Sequence, residues 1–360
     1  MQAILSITIP FFALVLCGYL AAQRRVLPEA AIAGLNAFVL FFALPCMLFR
    51  FGASTPVLQL LNPAVLTVYL LVAAVMVGFT LAMTLSARVD LKNAAFGALV
   101  AAFPNTGFMG VPLLVALMGP AAAGPVICTV LADMMVTSSV CLGLAQAQGN
   151  GHHGPRVAAW RALQGALSNP LPWSIALGAL FGAMSWRLPG PAETVVRMLA
   201  DAASPVALFT IGAVLWRAGE HARRSQTTSP AASAGAPGPS TGPSRSASTP
   251  AATSDHPLPA RMAGTPMSLY LPVALIKLLL HPMLVLLLGL SARRLGAPIS
   301  DFQLTVLTLA AALPSASSIS LLAERYGADN GRVARIILSS TVLAFVSFSS
   351  LAWLFGVQPG

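Results

Sequence analysis

Two apolar stretches of this chain are interrupted by the same kind of phrase, AAFPNTG around Pro104 and AALPSAS around Pro314. Proline deletes a backbone donor and clashes with the preceding helical turn. In lipid such a break survives only where protein, water or ligand re-satisfies the freed backbone. Side chains that favour helix starts trail each proline: Asn105 and Thr106 in one, Ser315, Ser317 and Ser318 in the other. Gly107 and Gly110 allow close backbone approach. Each phrase therefore predicts a second half-helix whose bare N–H groups and positive dipole end lie near the membrane midplane. Two such ends together form an anion site without a fixed cation, and a carboxylate is the natural guest. A packed proline kink is the competing reading for either one alone; the matched pair, each trailed by polar residues, favours binding.

Charges inside apolar stretches are scarce. Asp133 and Lys277 sit near the centres of theirs, and His281 stands four residues after Lys277, on the same helical face. A central charge costs about 2.5–3.5 kcal/mol on insertion scales, so each needs a purpose. One reading has Asp133 or His281 binding a coupling proton while Lys277 compensates substrate charge. The other is a buried structural pair, or Lys277 snorkelling. Pro45 and Pro205 have apolar surroundings and read as kinks or hinges. Asp201, Glu324 and Arg325 fall toward the ends of apolar stretches and read as interfacial.

The elements that must position these groups are membrane spans. Of 360 residues 57% are hydrophobic and 8% charged, with mean hydropathy +0.80. Soluble domains carry about 25% charged residues, so the solvent here is partly lipid and the fold all-α and polytopic. Ten spans are predicted: 3–22, 33–51, 62–86, 94–118, 122–146, 169–186, 194–216, 267–291, 300–323 and 333–356. A short Gly119–Pro120 turn parts the fourth from the fifth. Residues 1–22 have no basic leader and are followed by Arg24–Arg25, which reads as a retained span and not a cleaved signal. Residues 147–168 read as a cytoplasmic loop. Residues 218–266, rich in Ser, Thr, Pro, Ala and Gly, read as a disordered cytoplasmic linker.

The net charge of +10 forms no stripe interleaved with aromatics, so nucleic acid is not the partner. With both termini outside, fourteen Lys and Arg residues fall in cytoplasmic loops and five on the outer flanks, which satisfies the positive-inside rule. Arginine outnumbers lysine, and Ala, Gly and Pro abound, the usage of a GC-rich bacterial genome; the cytoplasmic (inner) membrane is the expected location. The four cysteines lie in apolar stretches without pairing motifs and read as small core residues. No HExxH, GxSxG or P-loop is present, so no metal, cofactor or catalytic chemistry is expected.

The prolines also expose an internal repeat. Pro45 and Pro104 are 59 residues apart and Pro205 and Pro314 are 109 apart, an excess of 50 that the linker accounts for. Residues 1–146 then form one five-helix repeat, and 169–217 with 267–360 the other. Five is odd, so the second copy enters the membrane inverted, as in carriers that bind at paired interrupted helices in the fourth and ninth spans.

FPNTGFMGVPLL (103–114), NPLPWSIALGALFG (169–182), ASPVALFTIGAVL (203–215), KLLLHPMLVLLLG (277–289) and LPSASSISLLAERYG (313–327) resemble, in order, segments of the auxin efflux carrier family. Its bacterial malonate transporter-like members are the most similar. The resemblance implies a ten-helix inverted-repeat fold, a carboxylate site at the crossover, and elevator-like or rocking movement of a transport domain past a scaffold. Pro104, Asn105 and Thr106 match the first crossover, Pro314 and Ser315 the second. Where members often carry Asn a few residues after the second proline, this chain has Ser317 and Ser318, a pattern that a different or smaller substrate would leave.

The expected function is secondary transport or efflux of a small organic anion, with H+ or Na+ as the candidate coupling ion and the bilayer as surroundings. The oligomeric state stays open, a homodimer included. Two alternatives remain, a sodium-coupled carrier of bile-acid-symporter type and a non-transporting membrane sensor. A membrane-embedded enzyme lacks a visible catalytic cluster.

Overall fold

A computed structural model describes residues 1–56, 60, 62–147, 160, 164, 167–227 (backbone alone over 221–227) and 267–357. Residues 228–266 of the linker and most of the 147–168 loop lie outside the described residues, whereas 218–227, expected to begin the disordered linker, continue the helix that starts at Gly190. Twelve helices carry the membrane-crossing part of the described residues. They are α1 (Gln2–Gln23), α2 (Glu29–Ser54), α3 (Pro63–Thr84), α4 (Leu91–Ala102), α5 (Thr106–Met118), α6 (Pro120–Gln146), α7 (Pro170–Ala183), α8 (Gly190–Thr227), α9 (Leu271–Arg294), α10 (Asp301–Ala312), α11 (Ser318–Arg325) and α12 (Asn330–Leu354). Seven of them are long and apolar enough to cross a membrane: α1, α2, α3, α6, α8, α9 and α12.

The helix starts are written in the sequence. Asn62 accepts hydrogen bonds from the Ala64 and Val65 amides ahead of Pro63, and Asp90 accepts one from Asn93. Ser300 and Gln303 form a reciprocal capping box. The Gly119 turn holds φ at +84°, a left-handed value that glycine tolerates, and parts α5 from α6 where the sequence placed the boundary. Both proline phrases break their helices. Helix stops at Ala102 and restarts at Thr106, then stops at Ala312 and restarts at Ser318.

Two groups of helices form. In one, α1 packs along α8, α7 along α2, and α2 along α8. In the other, α3 packs on α4, α9 on α10, and α4 on the end of α6, with α12 alongside α9 and α11. Small residues permit the closest approaches, as usual where lipid is the solvent. A Cβ on Gly18 would overlap the Phe209 carbonyl, and one on Gly178 would overlap that of Phe49. Gly212 lies against the Val15 carbonyl and Gly52 against that of Ile175. These contacts share one register: 178 − 18, 209 − 49, 212 − 52 and 175 − 15 are all 160, the same offset as Pro205 from Pro45. Beyond the linker the offset becomes 210, which relates Asp90 to Ser300 as helix caps, α4 to α10 residue for residue, and Pro104 to Pro314.

Candidate crossover site

The two breaks lie against each other. Pro104 and Ser315 form an isolated antiparallel bridge. The Asn105 amide donates to the Pro314 carbonyl at 2.8 Å, and the Ala316 amide to that of Phe103 at 3.1 Å. Each extended segment thus satisfies part of what the other's proline freed. The Ser315 amide donates to Ser340 Oγ on α12 at 3.2 Å, and Ser340 donates onward to the Ile337 carbonyl.

What remains unbonded defines the site. Among the described residues, the amides of Gly107 and Phe108, which open α5, make no backbone hydrogen bond, nor do those of Ser317 and Ser318 at the start of α11. The two pairs are mates under the 210 offset. The sequence placed Asn105, Thr106 and the serines as capping residues. The structure differs, since neither half-helix start receives a side-chain cap. Instead Asn105 Oδ1, Thr106 Oγ1 and Ser315 Oγ are buried without partners. A buried polar atom left unbonded is destabilising by about 1–3 kcal/mol, and three of them around four free amides leave bonding capacity that a ligand or water can take up. Asn105 is 2% exposed, Thr106 0% and Ser315 1%; Pro104, Gly107, Pro314 and Ser317 are also buried, while Ser318 is half-buried.

Beside the crossover lies a second buried polar group. Tyr69 on α3 donates to Asp133 Oδ2 at 2.7 Å, and Thr137 donates to Oδ1 at 3.0 Å. Lys277 Nζ donates to the Ala311 carbonyl at 2.7 Å and lies 2.9 Å from His281 Nδ1. With Lys277 charged, Nδ1 is the acceptor and a neutral His281 carries its proton on Nε2, which is buried and unpartnered. Lys277 is fully buried and does not snorkel. Its ammonium closes the C-terminal end of α10, where the helix dipole is negative. Asp133 and Lys277 lie within each other's field yet are not ion-paired. Both stand at single π-turns, Asp133–Thr137 and Ile276–Leu280, a local widening that frequently accompanies functional side chains. Pro45 follows another π-turn, Val39–Ala43, and Pro205 lies inside the continuous α8, so neither touches the crossover through a recorded bond.

Two residues escaped the sequence reading. Tyr69 was an unmarked aromatic in an apolar helix. Arg332 was counted among cytoplasmic loop charges, but it is 3% exposed. It donates to the Leu269 carbonyl and to the Asn93 carbonyl, both at 2.9 Å, packed over Gly97. The sequence placed it one residue before the predicted span 333–356, where topogenic arginines also occur.

The sequence profile of a family described as membrane transport protein matches residues 3–352. A "Putative malonate transporter" of Rhizobium meliloti is 26% identical over 359 residues, covering 98% of this chain and 96% of that protein. An "Uncharacterized transporter YfdV" of Escherichia coli is 23% identical over 352 residues, 96% of this chain and 95% of that one. An "Uncharacterized transporter" of Methanothermobacter thermautotrophicus is 26% identical over 217 residues, 59% of this chain and 67% of that one.

Proposed function

This chain belongs to the membrane transport protein family, the auxin efflux carrier family of the resemblance, and is a multi-pass membrane protein; from that premise we propose that it is a secondary carrier of a small organic anion. Ten spans form two inverted five-helix repeats, residues 1–146 and 169–217 with 267–360, related by the 160 and 210 offsets. The substrate carboxylate lies at the crossover, bonded by the amides of Gly107, Phe108, Ser317 and Ser318 and by Asn105, Thr106 and Ser315. The single observation that carries this reading is the set of unbonded donors at two half-helix starts in mated positions.

Alternating access moves the crossover group of helices against the group containing α1, α2, α7 and α8, with Pro45 and Pro205 as hinge points. Asp133, Lys277 and His281 compensate charge or carry the coupling proton. A sodium-coupled carrier would use carbonyls at a half-helix C-terminus for its cation. Here Lys277 Nζ already occupies the Ala311 carbonyl, which favours a cycle without Na+. Moving one charge across 100 mV is worth about 2.3 kcal/mol, so uptake of a dianion into a negative cell requires cotransported cations while export requires none. The membrane is the inner membrane of a bacterium, with both termini outside.

The test is flux in proteoliposomes. Labelled malonate, suggested by the name of the Rhizobium relative, heads a panel of mono- and dicarboxylates. An imposed potential, a pH gradient and a Na+ gradient are compared. Saturable carboxylate flux that ignores Na+ supports the proposal. Folded, inserted protein that carries no carboxylate refutes the anion reading, and flux that requires Na+ restores the sodium-coupled one.

A further inference from the structure

The two groups of helices are joined by a seam between α1 and α12, which lie antiparallel there. Phe12 and Phe345 meet edge to face with ring centroids 5.2 Å apart. One turn away on each helix, Ser349 Oγ donates to Thr8 Oγ1 at 3.4 Å. Both hydroxyls are buried, and the bond is long for two hydroxyls and therefore weak. The same side of the interface continues where α8 packs on α12 and where α5 packs on α1 and α8.

Every residue of this seam has a mate. The 160 and 210 offsets carry Thr8 to Ser168, Phe12 to Pro172, Ser349 to Ser139 and Phe345 to Met135. Pro10 and Pro170, also 160 apart, extend the register through α1 and α7. The mated seam would join α7 to α6 through Ser168 with Ser139 and Pro172 with Met135. It is not formed here. Among the described residues α7 packs along α2 with no comparable packing on α6, and α2 only grazes α6, whereas its mate α8 lies against α12. The half-helix α5 packs on α1 and α8, but its mate α11 has no such packing on α7 or α2. Ser168 donates to the Gln164 carbonyl in its own turn. Ser139 is left over. Of the four hydroxyl residues on α6, Thr129, Thr137 and Ser138 each bond an acceptor, while Ser139 Oγ is buried and bonds nothing. A helical serine can bond the carbonyl one turn back, so a buried hydroxyl that does not do so is free for a partner from another helix.

We propose that this structure is one of two access states, and that in the other α7 closes on α6 through Ser168 with Ser139 and Pro172 with Met135, while α1 and α12 part at Thr8 with Ser349 and Phe12 with Phe345. An inverted repeat offers the same kind of contact twice. Breaking one seam while making its mate therefore exchanges a hydroxyl pair and an apolar pair for another of each, which keeps two discrete packings close in free energy. The seams belong to opposite sides of the membrane. Thr8 and Ser349 lie toward the Met1 side, and Ser139 and Ser168 toward the Arg24 side, so each seam closes the crossover from one face. This inference rests on the anion-carrier reading and its inverted repeat.

Two cysteine pairs test it, in full-length protein with the four native cysteines replaced. Thr8→Cys with Ser349→Cys, and Ser139→Cys with Ser168→Cys, are oxidised with copper phenanthroline in proteoliposomes. Each pair is expected to cross-link within one molecule, and each cross-link to abolish carboxylate flux until it is reduced. With all four substitutions combined, a molecule bridged at one seam does not bridge at the other. In parallel, Ser139→Ala in the Thr8→Cys, Ser349→Cys protein weakens the seam absent here and speeds the first cross-link several-fold; an unchanged rate removes Ser139 from any seam and overturns the proposal. So does flux-competent protein in which positions 139 and 168 never bridge, bridge only between two copies, or bridge together with 8 and 349 in one molecule. Mutually exclusive bridging in protein that carries no carboxylate leaves the exchange of seams standing and sinks the anion reading instead.

Discussion

Replacing Asn105 by alanine separates a binding role from a structural one, because the two predict opposite balances of flux and stability. In the resting structure Asn105 Oδ1 has no partner and the side chain caps nothing. Alanine therefore removes no protein hydrogen bond through that atom, and it relieves a buried unsatisfied group. The loss of a few packed atoms opposes this, so folding free energy should change by less than about 1 kcal/mol. The bound state is different. A hydrogen bond to a charged group contributes about 1.5–3 kcal/mol, and each 1.4 kcal/mol is tenfold. The half-saturating substrate concentration should rise roughly 10- to 100-fold, or flux should vanish at ordinary concentrations. Thermal melting in detergent and proteoliposome flux, on the same preparation, give both numbers. Wild-type half-saturation in a folded Asn105→Ala protein refutes the crossover site. A large drop in melting temperature with proportionate loss of flux makes Asn105 a structural residue and refutes the reasoning from its unbonded side chain.

Further outcomes follow from the packing. Gly18→Val and Gly178→Val each force a side chain into a facing backbone carbonyl, and as mates they should lose stability alike, by about 1–3 kcal/mol or more on size-exclusion and melting profiles; tolerance of either contradicts the close approach. Lys277→Met removes the donor that bonds the Ala311 carbonyl and should destabilise by about 1–3 kcal/mol. Adding Asp133→Asn should recover part of that, so simple additivity in a double-mutant cycle would show that the two do not interact. Deleting residues 228–258 should leave carboxylate flux within about twofold, since connector length changes loop-closure entropy only slowly; loss of function on deletion would favour the sensor reading.

The broken helices were legible because proline leaves a mark that no apolar context hides: Pro104 and Pro314 announced both interruptions. Ser300 with Gln303, Asn62 with Pro63 and Gly119 likewise fixed helix ends by local chemistry. Long-range pairing left no such mark. Nothing beside Tyr69 says that its hydroxyl meets Asp133 across 64 residues, and nothing beside Arg332 distinguishes a buried clamp from a topogenic charge. The polar residues after each proline were legible by type and misread by role. A helix-start preference describes residues that bond their own backbone, and here the backbone of one break bonds that of the other.

The repeat explains why the site residues fall into these two classes. A fold built from mates has to supply its half-helix amides twice, and it does, at Gly107 with Phe108 and at Ser317 with Ser318. Groups that give a carrier its direction and its ion need to occur once. Asp133, Lys277 and His281 have Leu343, Thr67 and Leu71 as mates. On the proposed carrier reading, symmetric positions carry the binding that both access states share, and unmatched charges carry what differs between the two sides. On that logic, restoring the symmetry should cost direction before binding. The double variant Asp133→Leu with Lys277→Thr, which gives each residue the identity of its mate, should retain crossover binding and equalise half-saturation measured from the two faces of the membrane.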